Sequence, residues 1–419
     1  MKQHSLSLWL GGVLFATSVS AAYAAEFSLQ QTLAAAVHYS AELSANRNQS
    51  NALNAMADSA RQLPDPKLKF GIENVPVQGS NSHRLTREGM TMQRIGIMQD
   101  YISEEKRDRK AETILAQSAS SGAKAEVIRA ALQRTAAQAW LDLALSQKVL
   151  SSAQKLVAET ERQISVQKAT VASGSSLASS VVDIRMTLLA MQDKVTLAQR
   201  DVTLAQTRLL QLTGEKIDDA SGTLPRYQRL PADPQTLEQN VGLHPEVMEA
   251  AREADVAKAR SAQSAVAAKP NVGVEVYYAH RADDYDDMAG VMFTVDLPMF
   301  KSERQDKDLA ADMSRSMEAN DQLALANRDR VALVRTLVAQ YQAAQTLWQR
   351  QQQEILPLQR QRLSLIEAQY RAGQSTLSDL LNARRTLLDT ELTANSAEKS
   401  VAETWAAIRY LTPQDDNQS

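Results

Sequence analysis

The chain is written twice. Ala41-Glu42-Leu43 and Pro66 return as Pro245-Glu246-Val247 and Pro270, each 204 positions further on. Val181-Val182-Asp183-Ile184-Arg185 is answered 199 positions later by Leu380-Leu381-Asn382-Ala383-Arg384. Internal repetition bounds the fold before any local reading. Each half runs through a helix, a pair of alternating strands and two long heptad-bearing helices, so the chain predicts a pseudo-symmetric body rather than one domain with an accessory.

The 419 residues contain only 14 Gly, 11 Pro and 5% aromatics, the makeup of long helices. Lys2, an apolar stretch from Leu6 to Phe15 and then Ala22-Tyr23-Ala24 follow the order of a secretory signal cleaved after Ala24. That apolar run is shorter than the roughly 20 residues a membrane-spanning helix needs. Cysteine is absent, which excludes disulfides, thiolate metal sites and a thioether-linked lipid. Net charge is −3 with acids and bases interspersed, and nothing suggests nucleic acid.

An Ala-rich helical pattern from Glu26 to Gln62 stops at Pro64-Asp65-Pro66. Leu68, Phe70 and Ile72 then alternate with Lys67, Lys69 and Glu73 as a strand, and 76–89 reads as a long loop. Met90 to Gln99 reads as the return strand, with an alternation that slips near Arg94 and suggests a bulge or a mixed face. The second half alternates more cleanly through Val272, Val274, Val276 and Tyr278, then Val291, Phe293, Val295 and Leu297. Strands of about ten residues are long enough to cross a bilayer in a barrel, but four strands cannot close one. They require either other chains or a soluble setting, in which they would form a small sheet capped by helix.

From about Glu104 to Thr170, and again from Glu303 to Tyr370, only Gly122 and Pro357 interrupt otherwise uniform helix formers. Leu143, Leu150, Val157, Ile164 and Val171 step by seven, as do Val181, Leu188, Val195, Val202 and Leu209, with Ile184, Met191, Ala198, Ala205 and Leu212 completing an a/d seam. Moved on by 199, the Val181 series falls on Leu380, Leu387, Ala394, Val401 and Ile408. Gly174 and Gly373, each followed by Ser or Thr, mark reversals between antiparallel helices. The expected division is a signal peptide at 1–24, a first repeat at 25–212 (hairpin 67–99, helical hairpin 104–212) and an equatorial linker at 213–235. A second repeat follows at 236–412 (hairpin 271–297, helical hairpin 303–411), with a disordered tail at 413–419.

No phosphate loop, nucleophile elbow or zinc pair is present, and none of the five histidines has a metal-type partner at helical spacing. The chain does not read as an enzyme, and no cofactor is implied. His83, Met90, Met92 and Met98 form the one soft-metal grouping, set against the ordinary use of Met as filler.

An exported twofold repeat of helix, membrane-length hairpin and long helical hairpin resembles the TolC family of outer-membrane efflux channels over essentially the whole mature chain. The most specific stretch is Tyr370-Arg371-Ala372-Gly373-Gln374-Ser375-Thr376-Leu377-Ser378-Asp379-Leu380-Leu381-Asn382-Ala383. The resemblance implies a mostly α fold with a membrane β-barrel portion. Three chains would each give four strands to one twelve-stranded barrel above a trimeric α-barrel tunnel of long helical hairpins. On that reading Phe70, Ile72, Val274, Val276, Phe293 and Val295 face outer-membrane lipid. Asp379, Asn382 and Tyr370 form the periplasmic aperture together with Ser180, which stands where an acidic latch residue would be expected. Ser375 replaces a basic one, so closure would rest on packing and hydroxyl contacts. The tips at Gly174 and Gly373 would dock a periplasmic adaptor joined to an inner-membrane pump of the RND type. The residues Asp65-Pro66, Asn74-Val75-Pro76, Met90-Thr91-Met92, Gln99 and Lys106-Arg107 resemble the heavy-metal efflux branch (CzcC/CusC-like), departing from CusC in having no lipid-bearing Cys. The implied function is the passive outer-membrane channel of a Gram-negative tripartite system. A multidrug or type I secretion duct of the same family is the alternative within the class, and a periplasmic adaptor or structural coiled-coil protein the alternative outside it.

Overall fold

The computed structural model describes residues 26–171, 178–281 and 284–414. The first repeat comprises β1 (Glu26–Phe27), α1 (Leu29–Tyr39), α2 (Ala41–Ala60), β2 (Lys67–Glu73), β3 (Met92–Tyr101), α3 (Glu104–Val171) and α4 (Ala178–Thr213). After β4 (Asp219–Ala220) the second repeat runs α5 (Pro234–Gln239), a 3-10 turn (Asn240–Leu243), α6 (Pro245–Ala265), β5 (Val272–His280) and β6 (Met288–Val295). It ends with α7 (Gln305–Arg350), a π-turn (Gln351–Ile355), α8 (Leu356–Arg371) and α9 (Leu377–Arg409). Among the described residues, no helix is long and apolar enough to cross a membrane.

The single helix expected over 26–62 is two. Ser40 adopts extended backbone and its hydroxyl accepts from Leu43 N at 3.2 Å, so it ends α1 and caps α2. A hydroxyl competing for local backbone donors is a signal that an Ala-rich run conceals. By contrast Gly122 does not interrupt α3, whose 68 residues span about 100 Å at 1.5 Å per residue. Pro357 leaves its mark as the π-turn before it: Leu356 N–H reaches back five residues to Gln351 O, and Pro357 has no N–H to offer.

The helices stand side by side as staves. On one stretch the order is α2, α3, α6, α7, and towards the hairpin turns it becomes α4, α3, α9, α8. Heptad positions carry this packing. Leu143, Val157, Met191, Ala198, Val202, Ala205 and Leu209 are buried, as are Leu380, Leu387, Ala394, Val401 and Ile408. The main core surrounds Trp140, Tyr227, Tyr341 and Trp405, and two smaller apolar clusters follow towards the turns.

The connection between the repeats is packed into the body. β4 pairs in parallel with β1, Ile217 and Tyr227 lie in the main core, and Trp140 Nε1 donates to Phe27 O at 2.8 Å. Gln414, within the tail expected from 413 onward, is held to α3: Gln414 N donates to Gln133 Oε1 and Gln133 Nε2 donates to Gln414 O, both at 2.9 Å.

The four longer strands make one antiparallel sheet in the order β2-β3-β5-β6. β3 begins and ends two residues later than expected, at Met92–Tyr101, and its ladder with β2 runs unbroken from Glu73↔Met92 to Lys67↔Met98. No bulge forms at Arg94. The apparent slip arose because Gln93 and Gln99 share the face of Ile95 and Ile97, whereas Met92, Arg94 and Met98 share the other.

Candidate functional site

Strand parity divides the sheet into two unlike surfaces. Phe70, Ile72, Val274, Val276, Phe293 and Val295 all fall on one face, with Leu68, Ile95, Ile97 and Val291 among them. The register sets Phe70 opposite Ile95, Val274 opposite Phe293 and Val276 opposite Val291. Phe70 is 81% exposed, and the face as a whole stands open. A contiguous exposed apolar surface of this kind marks contact with a partner or a membrane.

The opposite face is ionic. Glu275 on β5, 5% exposed at its side chain, accepts from Lys69 Nζ of β2 at 2.8 Å and from Arg94 Nη2 of β3 at 2.7 Å. Arg94 also donates to Glu73 at 3.0 Å and lies 3.7 Å above the ring of Tyr277. Lys67 and Asp100 add a further pair at 2.6 Å. Room for this layer comes from glycine: Gly96 and Gly290 are the register partners of Tyr277 on either side, and a Cβ at either would lie within 2.8 Å of the Tyr277 side chain. Sequence reading missed this network because its members are up to 206 positions apart. Charges at alternate strand positions were the available signal.

Met92 and Met98 lie on the ionic face, together with Met288 and Met292 of β6. His83 lies in the loop before β3, its ring nitrogen paired with Ser82 Oγ at 2.7 Å, and Met90 is exposed in the same loop. Among the described residues, no group of His, Asp and Glu is arranged to hold a metal ion.

At the turn between α8 and α9, Gly373 N donates to Tyr370 O at 3.0 Å and Gln374 N to Gln369 O at 2.8 Å. This paired closure requires a left-handed residue, and Gly373 has φ +72° with open space around it, so backbone conformation rather than crowding demands glycine. Thr376 then caps α9. Its hydroxyl accepts from Asp379 N at 3.2 Å, and the Asp379 carboxylate accepts from Thr376 N at 3.0 Å and Thr376 Oγ1 at 2.6 Å. The Thr376 hydroxyl, then its backbone N–H, hold the exposed Asp379 carboxyl below its ordinary pKa. Asn382 is exposed one turn further along α9.

Tyr370 packs against the cluster of Leu377, Leu380 and Leu381, and burial raises its hydroxyl pKa. Arg384, 4% exposed, reaches Glu367 of α8 at 2.8 Å and Thr160 of α3 at 3.4 Å, a brace that sequence reading noted only as a repeated position. Gly174 lies outside the described residues, as does the expected signal peptide. Ser180 falls in the first turn of α4, and its side chain is outside what is described.

Residues 236–412 match the family model of the outer membrane efflux proteins. No curated protein matches the chain. Among solved structures it is similar to CusC, described in terms of transmembrane channel formation, at 15% identity with 93% of both chains covered and a TM-score of 0.76. The open-state outer membrane channel MtrE of Neisseria gonorrhoeae shares 17% identity over 94% of this chain and 93% of its own, with a TM-score of 0.73. The outer membrane protein VceC of Vibrio cholerae shares 16% over 91% and 95%, with a TM-score of 0.70. At these identities the likeness carries the fold.

Proposed function

We propose that this chain, a channel of the outer membrane efflux protein family rather than an enzyme, is the duct through which a tripartite system exports heavy-metal cations. One observation carries the reading: both layers of the protomer end in open edges. The sheet leaves β2 and β6 unpaired, and the stave layer ends in α2 and α4 on one side and α7 and α8 on the other. An unpaired strand edge is not tolerated in hydrocarbon. Because strand direction alternates through the sheet, β6 of one chain can pair antiparallel with β2 of the next, and three copies close twelve strands. The apolar face then meets lipid and the ionic face lines the water-filled bore.

In this arrangement the helices form a tunnel through the periplasm. The turn around Gly373 presents small residues to a periplasmic adaptor that links the channel to an RND-type pump, and the stretch around Gly174, outside the described residues, would serve the same adaptor. Asp379, Asn382, Tyr370 and Ser180 lie at the aperture, where three copies of the Asp379 carboxylate around one axis would attract cations. Support for metal cargo comes from the four thioethers on the ionic face, which suit soft cations such as Cu(I), and from the resemblance of Asp65-Pro66, Asn74-Val75-Pro76 and Met90-Thr91-Met92 to the heavy-metal efflux branch.

The test is a strain lacking the gene, challenged separately with copper, silver, zinc and cobalt salts and with dyes and antibiotics. Metal sensitivity alone, restored by the parent gene, is expected. Sensitivity confined to organic compounds would replace metal cargo with multidrug efflux, while loss of a secreted polypeptide alone would indicate a type I secretion duct. Recovery as a soluble periplasmic protein with no heat-sensitive trimer in the outer-membrane fraction would overturn the channel itself.

A further inference from the structure

The last described residue stands beside a cavity. Gln414 is fixed there through its own backbone, its N–H donating to Gln133 Oε1 and its C=O accepting from Gln133 Nε2, both at 2.9 Å. Gln133 is 3% exposed, and besides holding Gln414 it lines a cavity of about 320 Å³ where the end of α1 and the start of α2 lie over α3. Gln414 is thus one side chain away from this space, and the next two residues of the sequence are Asp415 and Asp416.

The chemistry of the cavity suits an anion. Arg47 of α2, Arg129 of α3 and His38 of α1 line it, and no Asp or Glu does. Arg129 has Glu126 of its own helix at 4.0 Å, the outer limit of an ion pair, and the Arg47 side chain makes no ion pair or hydrogen bond among the described residues. Two guanidinium groups facing one space repel, and a carboxylate entering between them relieves that repulsion. The second repeat has no such site. In the register of 204 positions, Arg47 and His38 are answered by Ala251 and Gly242, so the basic groups occur only in the half against which the chain ends.

We propose that the segment after Gln414 folds back into this cavity, where Asp415 and Asp416 meet Arg47 and Arg129 and fasten the end of the chain to the α1–α2 junction near its beginning. Reach is not limiting: a cavity of this volume is about 7 Å across, and each residue of extended chain covers up to about 3.6 Å. A free anion would have to compete with carboxylates tethered one or two residues from the site, at an effective concentration in the millimolar range, which favours the chain's own tail as the occupant. The contact has a structural use. α2 is an outer stave that packs chiefly on α3, and the docked tail gives its first turns a second hold. The inference follows from the single chain and does not depend on what the channel carries.

Disulfide trapping tests the proposal directly, because the chain has no cysteine of its own. Asn417→Cys, which spares both aspartates, is combined with Ser44→Cys in the cavity wall or with Lys124→Cys, exposed about 140° round α3 from Arg129, in the purified full-length protein. Under a mild oxidant the Ser44 pair should close within one chain roughly tenfold faster than the Lys124 pair, read as a band of altered mobility without reductant. Arg47→Ala, or Asp415→Asn with Asp416→Asn, should slow that closure severalfold. Raising salt from about 0.1 to 1 M, which shortens the screening length from about 10 to 3 Å, should do the same. Equal rates for the two pairs overturn the proposal and leave the cavity to a free anion. A Ser44 pair indifferent to Arg47→Ala and to salt overturns it as well, since the tether alone would then place the tail. A disulfide formed only between chains overturns it by giving the cavity to the tail of a neighbouring copy. Should Ser44→Cys disturb the start of α2, Ala34→Cys, exposed on α1 in the same cavity, takes its place with the same outcomes.

Discussion

Replacing Glu275 should loosen the sheet more than any other single change on its ionic face. The carboxylate serves two cations on two strands, Lys69 at 2.8 Å and Arg94 at 2.7 Å. These contacts are unequal. Lys69 is 47% exposed, so its pair resembles a surface ion pair worth about 0–1 kcal/mol. Arg94 is 13% exposed, and removing one partner of a buried pair costs about 3–5 kcal/mol because the other charge is left uncompensated. Arg94 keeps Glu73 and the ring of Tyr277, so its charge is not left wholly uncompensated and the loss falls towards the lower end of that range. The net expectation for Glu275→Ala is about 2–4 kcal/mol, and for Glu275→Gln, which keeps an acceptor oxygen, about half of that. The double variant Arg94→Met with Glu275→Met removes both charges and should lose less than Glu275→Ala alone. The assay is the temperature at which the trimer dissociates in detergent, run as a double-mutant cycle. A Glu275→Gln trimer as heat-resistant as the parent, or single losses that simply add, would refute the reasoning.

Arg at Val274 or Phe293 should cost about 2–4 kcal/mol if the apolar face meets the middle of a bilayer, read as loss of inserted trimer; normal insertion would remove that face from lipid. Asp379→Asn keeps a capping oxygen but drops the charge, whereas Asp379→Ala loses both. In bilayer recordings both should weaken cation selectivity and block by multivalent cations, and an asparagine variant that behaves as the parent would leave Asp379 a helix cap alone. Because the folded pKa of Asp379 is depressed, its cap is fully present above the ordinary carboxylate value of about 3.9 and is lost only as pH falls below it. Exchange at residues 377–380 should therefore be flat in free energy from pH 5.5 to 8 and rise only in strong acid. Gly373→Val forces a β-branched residue into φ +72° and should abolish export with the trimer retained, whereas Gly373→Asn, tolerant of that conformation, should export normally. Trimer loss in the valine variant would give this glycine a folding role instead.

What the sequence disclosed follows from the range of the interactions involved. Heptad stripes such as Leu380, Leu387, Ala394, Val401 and Ile408 report burial through a period set within one helix, and every member is buried. Strand parity likewise assigned the six apolar residues to one face. Arg94 misled because a polar residue in an apolar alternation reads as an error until the other face is known to be ionic. The break at Ser40 and the π-turn before Pro357 are local, yet each depends on which backbone group a side chain or a missing N–H leaves unpaired, and composition is silent about that. Arg384, Glu367 and Thr160 meet only because three helices run side by side, and no spacing along the chain records it.

The pairing of Glu26–Phe27 with Asp219–Ala220 also sets a clock on folding. The strand Glu26–Phe27 has no strand partner while the whole first repeat is made, and its ladder forms only once Asp219–Ala220 has followed. Closing a loop of that length is an entropic cost that rises only with the logarithm of its size, so lateness rather than weakness is the consequence. Until then Phe27 is held by α3, whose Trp140 Nε1 donates to Phe27 O at 2.8 Å. The clasp is thus a record of completion: a chain arrested before residue 220 has the longest helix of the fold but not the strand that pairs with Glu26–Phe27.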